Sequence, residues 1–176
     1  MTKARLATCW LDGCSGCHMS LLDIDEALIA VAPQIDLLYG PLVDAQEFPV
    51  DIDVAIVEGA VSSQDDLEKI RLVRRNSHIL VALGDCAVTG NVPAMRNPIP
   101  VKTILERIYV EGADTAKGVP TKTVPPLLKQ ATPLQDVVKV DLHVPGCPPP
   151  ARVILFVLKE LLDGRIPDLK SRARFG

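Results

Sequence analysis

Short apolar strings recur along the chain, each followed by glycine-bearing polar residues, and the segments between them repeat their apolar positions at helical spacing. Leu6-Ala7-Thr8-Cys9-Trp10-Leu11, Val54-Ala55-Ile56-Val57 and Ile79-Leu80-Val81-Ala82-Leu83 are near-continuous in apolar character, and residues 137–144 are rich in valine. Strings of this kind predict strands covered on both faces, as in a parallel sheet. Leu21, Ile24, Leu28 and Val31 predict a helix over 20–32. Ser62 and Ser63, each followed three residues later by aspartate, mark a helix start ahead of Leu67, Ile70 and Val73. Pro148-Pro149-Pro150 opens a last helix that carries Ile154, Val157, Leu158 and Leu161 and ends at Gly164.

The resulting alternation of strands and helices predicts an α/β fold. It is a flavodoxin-like, doubly wound, mainly parallel sheet with helices on both faces and right-handed crossovers. Residues 91–136 break the rhythm, with one helix expected over 102–111 among several prolines and glycines. A connection this long is either functional, as a docking surface, or a plain surface detour. The tail over 165–176 holds four basic residues against one aspartate and reads as a solvated end.

Composition narrows the function classes. The 176 residues suit one domain spanning 1–176. A hydrophobic share of 48% argues against disorder, and a net charge of −3 gives no electrostatic footing for nucleic acid. No apolar stretch approaches the ~20 residues of a membrane span. Met1-Thr2-Lys3-Ala4-Arg5 leads into a strand without the marks of a secretory signal, so a cytoplasmic location is expected. There, disulfides explain cysteines poorly, and metal or redox chemistry explains them better.

Four of the five cysteines share one address, just past the carboxyl end of an expected strand. Cys14 and Cys17 follow the first, Cys86 follows the string ending at Leu83, and Cys147 follows Val144. In an open parallel sheet those loops converge on one rim. Four thiolates there would suit an iron–sulfur cluster or a structural zinc site with four cysteine ligands, and the C-x-x-C pair alone would suit a redox dithiol. One close pair with two remote singles favours the cluster, because zinc usually takes two close pairs and a dithiol leaves Cys86 and Cys147 without a role. Gly13, Gly16, Gly84, Gly90 and Gly146 flank the cysteine loops, where a bulky inorganic core needs backbone close at hand. Pro145, Pro148 and Pro149 lock φ around Cys147.

Trp10-Leu11-Asp12-Gly13-Cys14-Ser15-Gly16-Cys17-His18-Met19-Ser20, Gly84-Asp85-Cys86-Ala87-Val88-Thr89-Gly90 and Pro145-Gly146-Cys147-Pro148-Pro149 resemble the small subunit of nickel–iron hydrogenases. The likeness is greatest to the short, cytoplasmic form found in bidirectional NAD(P)-reducing enzymes. It implies one proximal 4Fe–4S cluster on Cys14, Cys17, Cys86 and Cys147. It also implies a nickel–iron large subunit and NAD-linked diaphorase subunits as partners, with no dihydrogen chemistry in this chain alone. The periplasmic members' twin-arginine signal and cysteine-rich C-terminal extension are not matched here. The iron–sulfur subunit of complex I-like quinone reductases shares the fold but has adjacent cysteines where Ser15 and Gly16 stand between Cys14 and Cys17.

Other residues carry weaker signals. Cys9 lies within the first strand and reads as a buried small hydrophobe. His18 reads as a hydrogen-bonding partner on the rim or a proton shuttle. Glu58 ends an apolar strand and is expected half-buried beside the site, either on a proton route or anchoring a loop. Trp10 and Asp12 read as a core indole and a turn aspartate, or as rim residues. A bound FMN is disfavoured, because no Ser/Thr-rich phosphate loop follows the first strand.

Overall fold

The computed structural model describes residues 3–115 and 117–175; Met1, Thr2, Ala116 and Gly176, which the sequence reading touches at the lead-in, the excursion and the tail, lie outside them. Chain order runs β1 (Ala4–Trp10), α1 (Gly16–Leu22), α2 (Glu26–Val31), β2 (Ile35–Tyr39), β3 (Ile52–Glu58), β4 (Val61–Ser63), α3 (Gln64–Arg75) and β5 (Ser77–Leu83). It continues through α4 (Asp85–Thr89), α5 (Asn91–Ala94), α6 (Val101–Glu106), β6 (Leu127–Thr132), β7 (Leu142–Val144) and α7 (Ala151–Leu162). The main sheet has the order β2-β1-β3-β5-β7, and every pairing in it is parallel. That order, with its reversal of direction at β1 and β3, is the flavodoxin-like winding expected.

Strand residues alternate between two cores, as the two-residue period of a strand requires. Ala55, Val57, Leu80 and Ala82 face α3, where Ile70 and Val73 are fully buried. Val54, Ile56, Val81 and Leu83 face α7, which presents Val153, Ile154, Val157, Leu158 and Leu161. Truncating a side chain such as Ile70 or Ile154 to alanine would cost about 2–5 kcal/mol, because close-packed cores collapse only partly around a void. The Ser63 hydroxyl accepts from the Asp66 N–H at 3.1 Å while Asp66 accepts from the Ser63 N–H at 2.9 Å, so the capping box belongs to the second of the two serines.

Away from the site, the structure departs from these expectations in five places. The helix expected over 20–32 starts earlier, at Gly16, and is broken at Asp25, whose φ of 59° leaves the helical region. Only Leu142–Val144 of the valine-rich stretch is strand; a short turn over Leu134–Asp136 precedes it, and Val137, Val138 and Val140 pack on the α3-side core instead. The excursion over 91–136 contains β6, which pairs antiparallel with β4. It is pinned by Asn97, whose side chain exchanges two 2.8 Å bonds with the Ala131 backbone, and by Arg96, which donates to Ser62 O and Leu128 O. The expected helix over 102–111 is helical only to Glu106 and widens over Arg107–Glu111. The tail is partly docked: Leu169 and Ala173 pack on the α7-side core and Arg172 stacks on Phe156 at 4.2 Å.

Candidate metal centre

The main strands end on one rim, and the loops there are cross-tied by backbone bonds. After β1 the chain crosses to the loop after β3, with Asp12 N–H donating to Ala60 O at 3.1 Å and Ala60 N–H returning to Asp12 O at 2.7 Å. Asp12 is thus a bridging residue. After β5, Gly84 N–H donates to Val144 O at 2.8 Å and Asp85 N–H to Gly146 O at 2.9 Å. The first loop is thereby joined to the β3 end, and the second to the third.

Cys14, Cys17, Cys86 and Cys147 line one cavity of about 100 Å³, together with Glu58, Asp85 and glycines 13, 16, 59 and 146. Cys14 and Cys147 are exposed, while Cys17 and Cys86 are partly covered, and none of the four is in a disulfide. Among the described residues, no three Cys, His, Asp or Glu side chains are gathered tightly enough for a single metal ion. Cys9 stands apart, inside β1 and 2% exposed, with burial pushing its thiol up to about 12. Burial and the neighbouring Glu58 carboxylate likewise push the Cys17 thiol well above its ordinary range. Burial raises Cys86, against which the Val92 backbone amide acts.

Backbone shape leaves room for the thiols. Gly84, at φ +84°, is where a Cβ would overlap Cys17 Sγ. Gly146, at φ +139°, faces the Pro149 backbone, which a Cβ would meet at 2.6 Å. Left-handed φ and close approach both demand glycine. Donor chemistry and cradle therefore fit a thiolate-ligated inorganic core.

Glu58 is more enclosed than the expected half-burial, at 2% exposed, because β1 and β5 flank it and the Cys14–Cys17 loop folds over it. Its Oε2 accepts from the His18 backbone N–H at 2.9 Å, and its Oε1 lies 3.3 Å from His18 Nδ1. Trp10 is 45% exposed at the carboxyl end of β1 and belongs to neither core, so it is a rim residue and not a core indole.

Three site residues escaped the sequence reading. Asp85 is buried and its Oδ1 accepts from Gly146 N–H at 2.6 Å. Ser20 donates to Pro149 O at 2.5 Å, tying α1 to the Cys147 loop. Asn91 donates from Nδ2 to Cys147 Sγ at 3.5 Å. Asp85 and Ser20 stand inside the motif segments but have no role of their own there, and Asn91 lies just outside them; the bonds of all three go to partners distant in sequence.

Residues 14–161 match the family model described as the NADH ubiquinone oxidoreductase 20 kDa subunit. Over 174 residues the chain is 38% identical to the NAD-reducing hydrogenase HoxS subunit delta of Cupriavidus necator, covering 96% of this chain and 83% of that protein. It is 37% identical over 164 residues to a vhu subunit of the F420-non-reducing hydrogenase of Methanocaldococcus jannaschii, covering 92% of this chain but only 57% of that longer relative. A solved NAD+-reducing NiFe-hydrogenase in the H2-reduced state contains a chain with the same fold, at TM-score 0.93 and 38% identity, covering 99% of this chain and 100% of that one.

Proposed function

Because the chain belongs to the NADH ubiquinone oxidoreductase 20 kDa subunit family, an iron–sulfur family, and sides within it with hydrogenase small subunits, we propose that it is the electron-transfer small subunit of a soluble, cytoplasmic NAD(P)-linked nickel–iron hydrogenase. Residues 1–176 act in this reading as one iron–sulfur unit. Cys14, Cys17, Cys86 and Cys147 hold a single 4Fe–4S cluster. Such a cluster supplies one-electron transfer when bound, with a potential set by thiolate ligation, hydrogen bonds to sulfur and burial. The observation that carries this reading is the convergence of four thiols, from the segments that follow β1, β5 and β7, on one glycine-lined cavity.

The chain's own residues organise the rest. Glu58 holds the His18 end of the C-x-x-C loop, Asp85 holds the Cys147 loop, and Ser20 joins the two sides. Dihydrogen oxidation itself, H2 giving two protons and two electrons, belongs to the large subunit. Two electrons and one proton then convert NAD+ to NADH in the diaphorase subunits. Trp10, Met19, Val92 and Met95 are exposed apolar side chains on or beside the ligand-bearing loops, the character expected of a surface that a partner covers. Obligate interfaces of this kind commonly bury ~2,000 Å² or more.

Anaerobic co-expression with the large subunit and its maturation proteins tests this reading. The two chains should co-purify, with about four irons and four sulfides per small subunit. The pair should reduce an artificial dye with dihydrogen, and adding the diaphorase chains should extend this to NAD. A monodisperse, cluster-bearing monomer that binds no large subunit would overturn it.

A further inference from the structure

We propose that Asn91 tunes the cluster: its side-chain amide, 3.5 Å from Cys147 Sγ, donates an N–H···S bond that raises the reduction potential. The inference rests on the four-cysteine reading above and adds to it a residue outside the ligand motifs.

The geometry is specific. Gly90 (φ +83°) and Asn91 (φ +26°) are consecutive residues with positive φ, and they turn the chain sharply between α4 and α5. That turn lets a residue only five positions after Cys86 reach the loop of Cys147, 56 residues away in sequence. Asparagine suits the position twice over. It tolerates positive φ better than other non-glycine residues, and its amide nitrogen supplies a donor.

The Cys147 loop does not need Asn91 to hold it. Asp85 and Gly146 exchange two hydrogen bonds immediately before Cys147, and Ser20 bonds to Pro149 just after it. The loop is fixed from both sides, so the amide is left to act on the sulfur's charge. A donated hydrogen bond stabilises the more negative, reduced state of a thiolate-ligated cluster and so raises its potential.

The test uses the two-subunit complex with the large subunit, in which this chain's cluster is titrated against applied potential and followed by electron paramagnetic resonance. Asn91→Gly keeps the backbone free to adopt positive φ and removes the donor. Asn91→Asp replaces the donor with a negative charge. Both should retain the parent's iron and sulfide. The midpoint should fall for Asn91→Gly by up to the equivalent of tenfold in the one-electron equilibrium, about 59 mV. For Asn91→Asp it should fall at least as far. An unchanged midpoint in a variant that keeps its iron would overturn the inference and leave the cluster reading standing. Loss of iron from both variants would overturn it as well, making Asn91 a structural residue. A parent complex without iron would instead bring down the cluster reading itself, and this inference with it.

Discussion

Asp85 and Gly146 exchange two hydrogen bonds: the Asp85 N–H donates to Gly146 O at 2.9 Å, and Asp85 Oδ1 accepts from the Gly146 N–H at 2.6 Å. Each residue directly precedes a candidate ligand cysteine. The pair therefore sets how far apart Cys86 and Cys147 stand, by a link that does not involve either sulfur. Asp85→Ala should leave a buried N–H without its acceptor and cost about 1–3 kcal/mol. Denaturant unfolding should show that loss, and iron content should fall in parallel. Full iron content at parental stability would contradict the role.

Serine in place of Cys14, Cys17, Cys86 or Cys147 should abolish or degrade the cluster. Cys9→Ala should keep it, at a modest packing cost within β1. Iron and sulfide analysis of anaerobically purified complexes separates these outcomes. Retention of a complete cluster in Cys86→Ser or Cys147→Ser would refute the cage, since those remote ligands distinguish it from a dithiol.

Glu58 anchors the C-x-x-C loop through the His18 backbone. Glu58→Gln keeps an acceptor oxygen and should preserve iron content. Glu58→Ala strands the His18 N–H, and should destabilise the complex by about 1–3 kcal/mol and lose iron. A role in proton transfer would add a separate signature: Glu58→Gln would slow dihydrogen–solvent deuterium exchange without loss of cluster. Identical iron content and stability in Glu58→Ala would rule out the anchor.

Asp141 makes part of the fold pH-dependent. Burial pushes its carboxyl up, but the Leu80 N–H and the Arg74 guanidinium outweigh burial, and the folded value lies below the ordinary one. A depressed carboxylate stabilises the fold above its unfolded pKa, about 3.9, and that contribution is lost as pH falls through the folded value. Asp141→Asn, which keeps an acceptor for the Leu80 N–H but loses the screened attraction to Arg74, should therefore lower the urea midpoint near neutrality by the equivalent of about 1 kcal/mol. The gap to the parent should close as pH drops below about 4. Parallel midpoint curves across that window would exclude Asp141 as the source.

The parallel sheet and its rim were legible because strands buried on both faces must be apolar throughout, and four cysteines followed such strings. Less visible was whatever depends on partners far along the chain. Leu127–Thr132 carries mixed polarity and becomes a strand only against Val61–Ser63, with Asn97 and Arg96 holding it there. Val137 and Val138 have strand-like character, yet the turn at Leu134–Asp136 directs them into a core. Asp25 breaks a helix whose apolar spacing is intact on both sides of it. At the site, the thiols were legible from residue type, whereas Asp85, Ser20 and Asn91 act through long-range bonds that no local pattern records.

β7 is the last strand of the main sheet in chain order, and Cys147 hangs just beyond its end. A polypeptide leaves the ribosome N-terminus first, so three of the thiols are made long before the fourth. The sulfur set is complete only when the C-terminal third has come back to lie beside β5, a pairing of distant segments that forms slowly. On the four-cysteine reading, loading of the cavity would follow the folding of the sheet and not precede it. With Cys147 as the fourth ligand, a filled site would report that synthesis had run to the end of the sheet, and a chain stopped before β7 would present three thiols without their fourth.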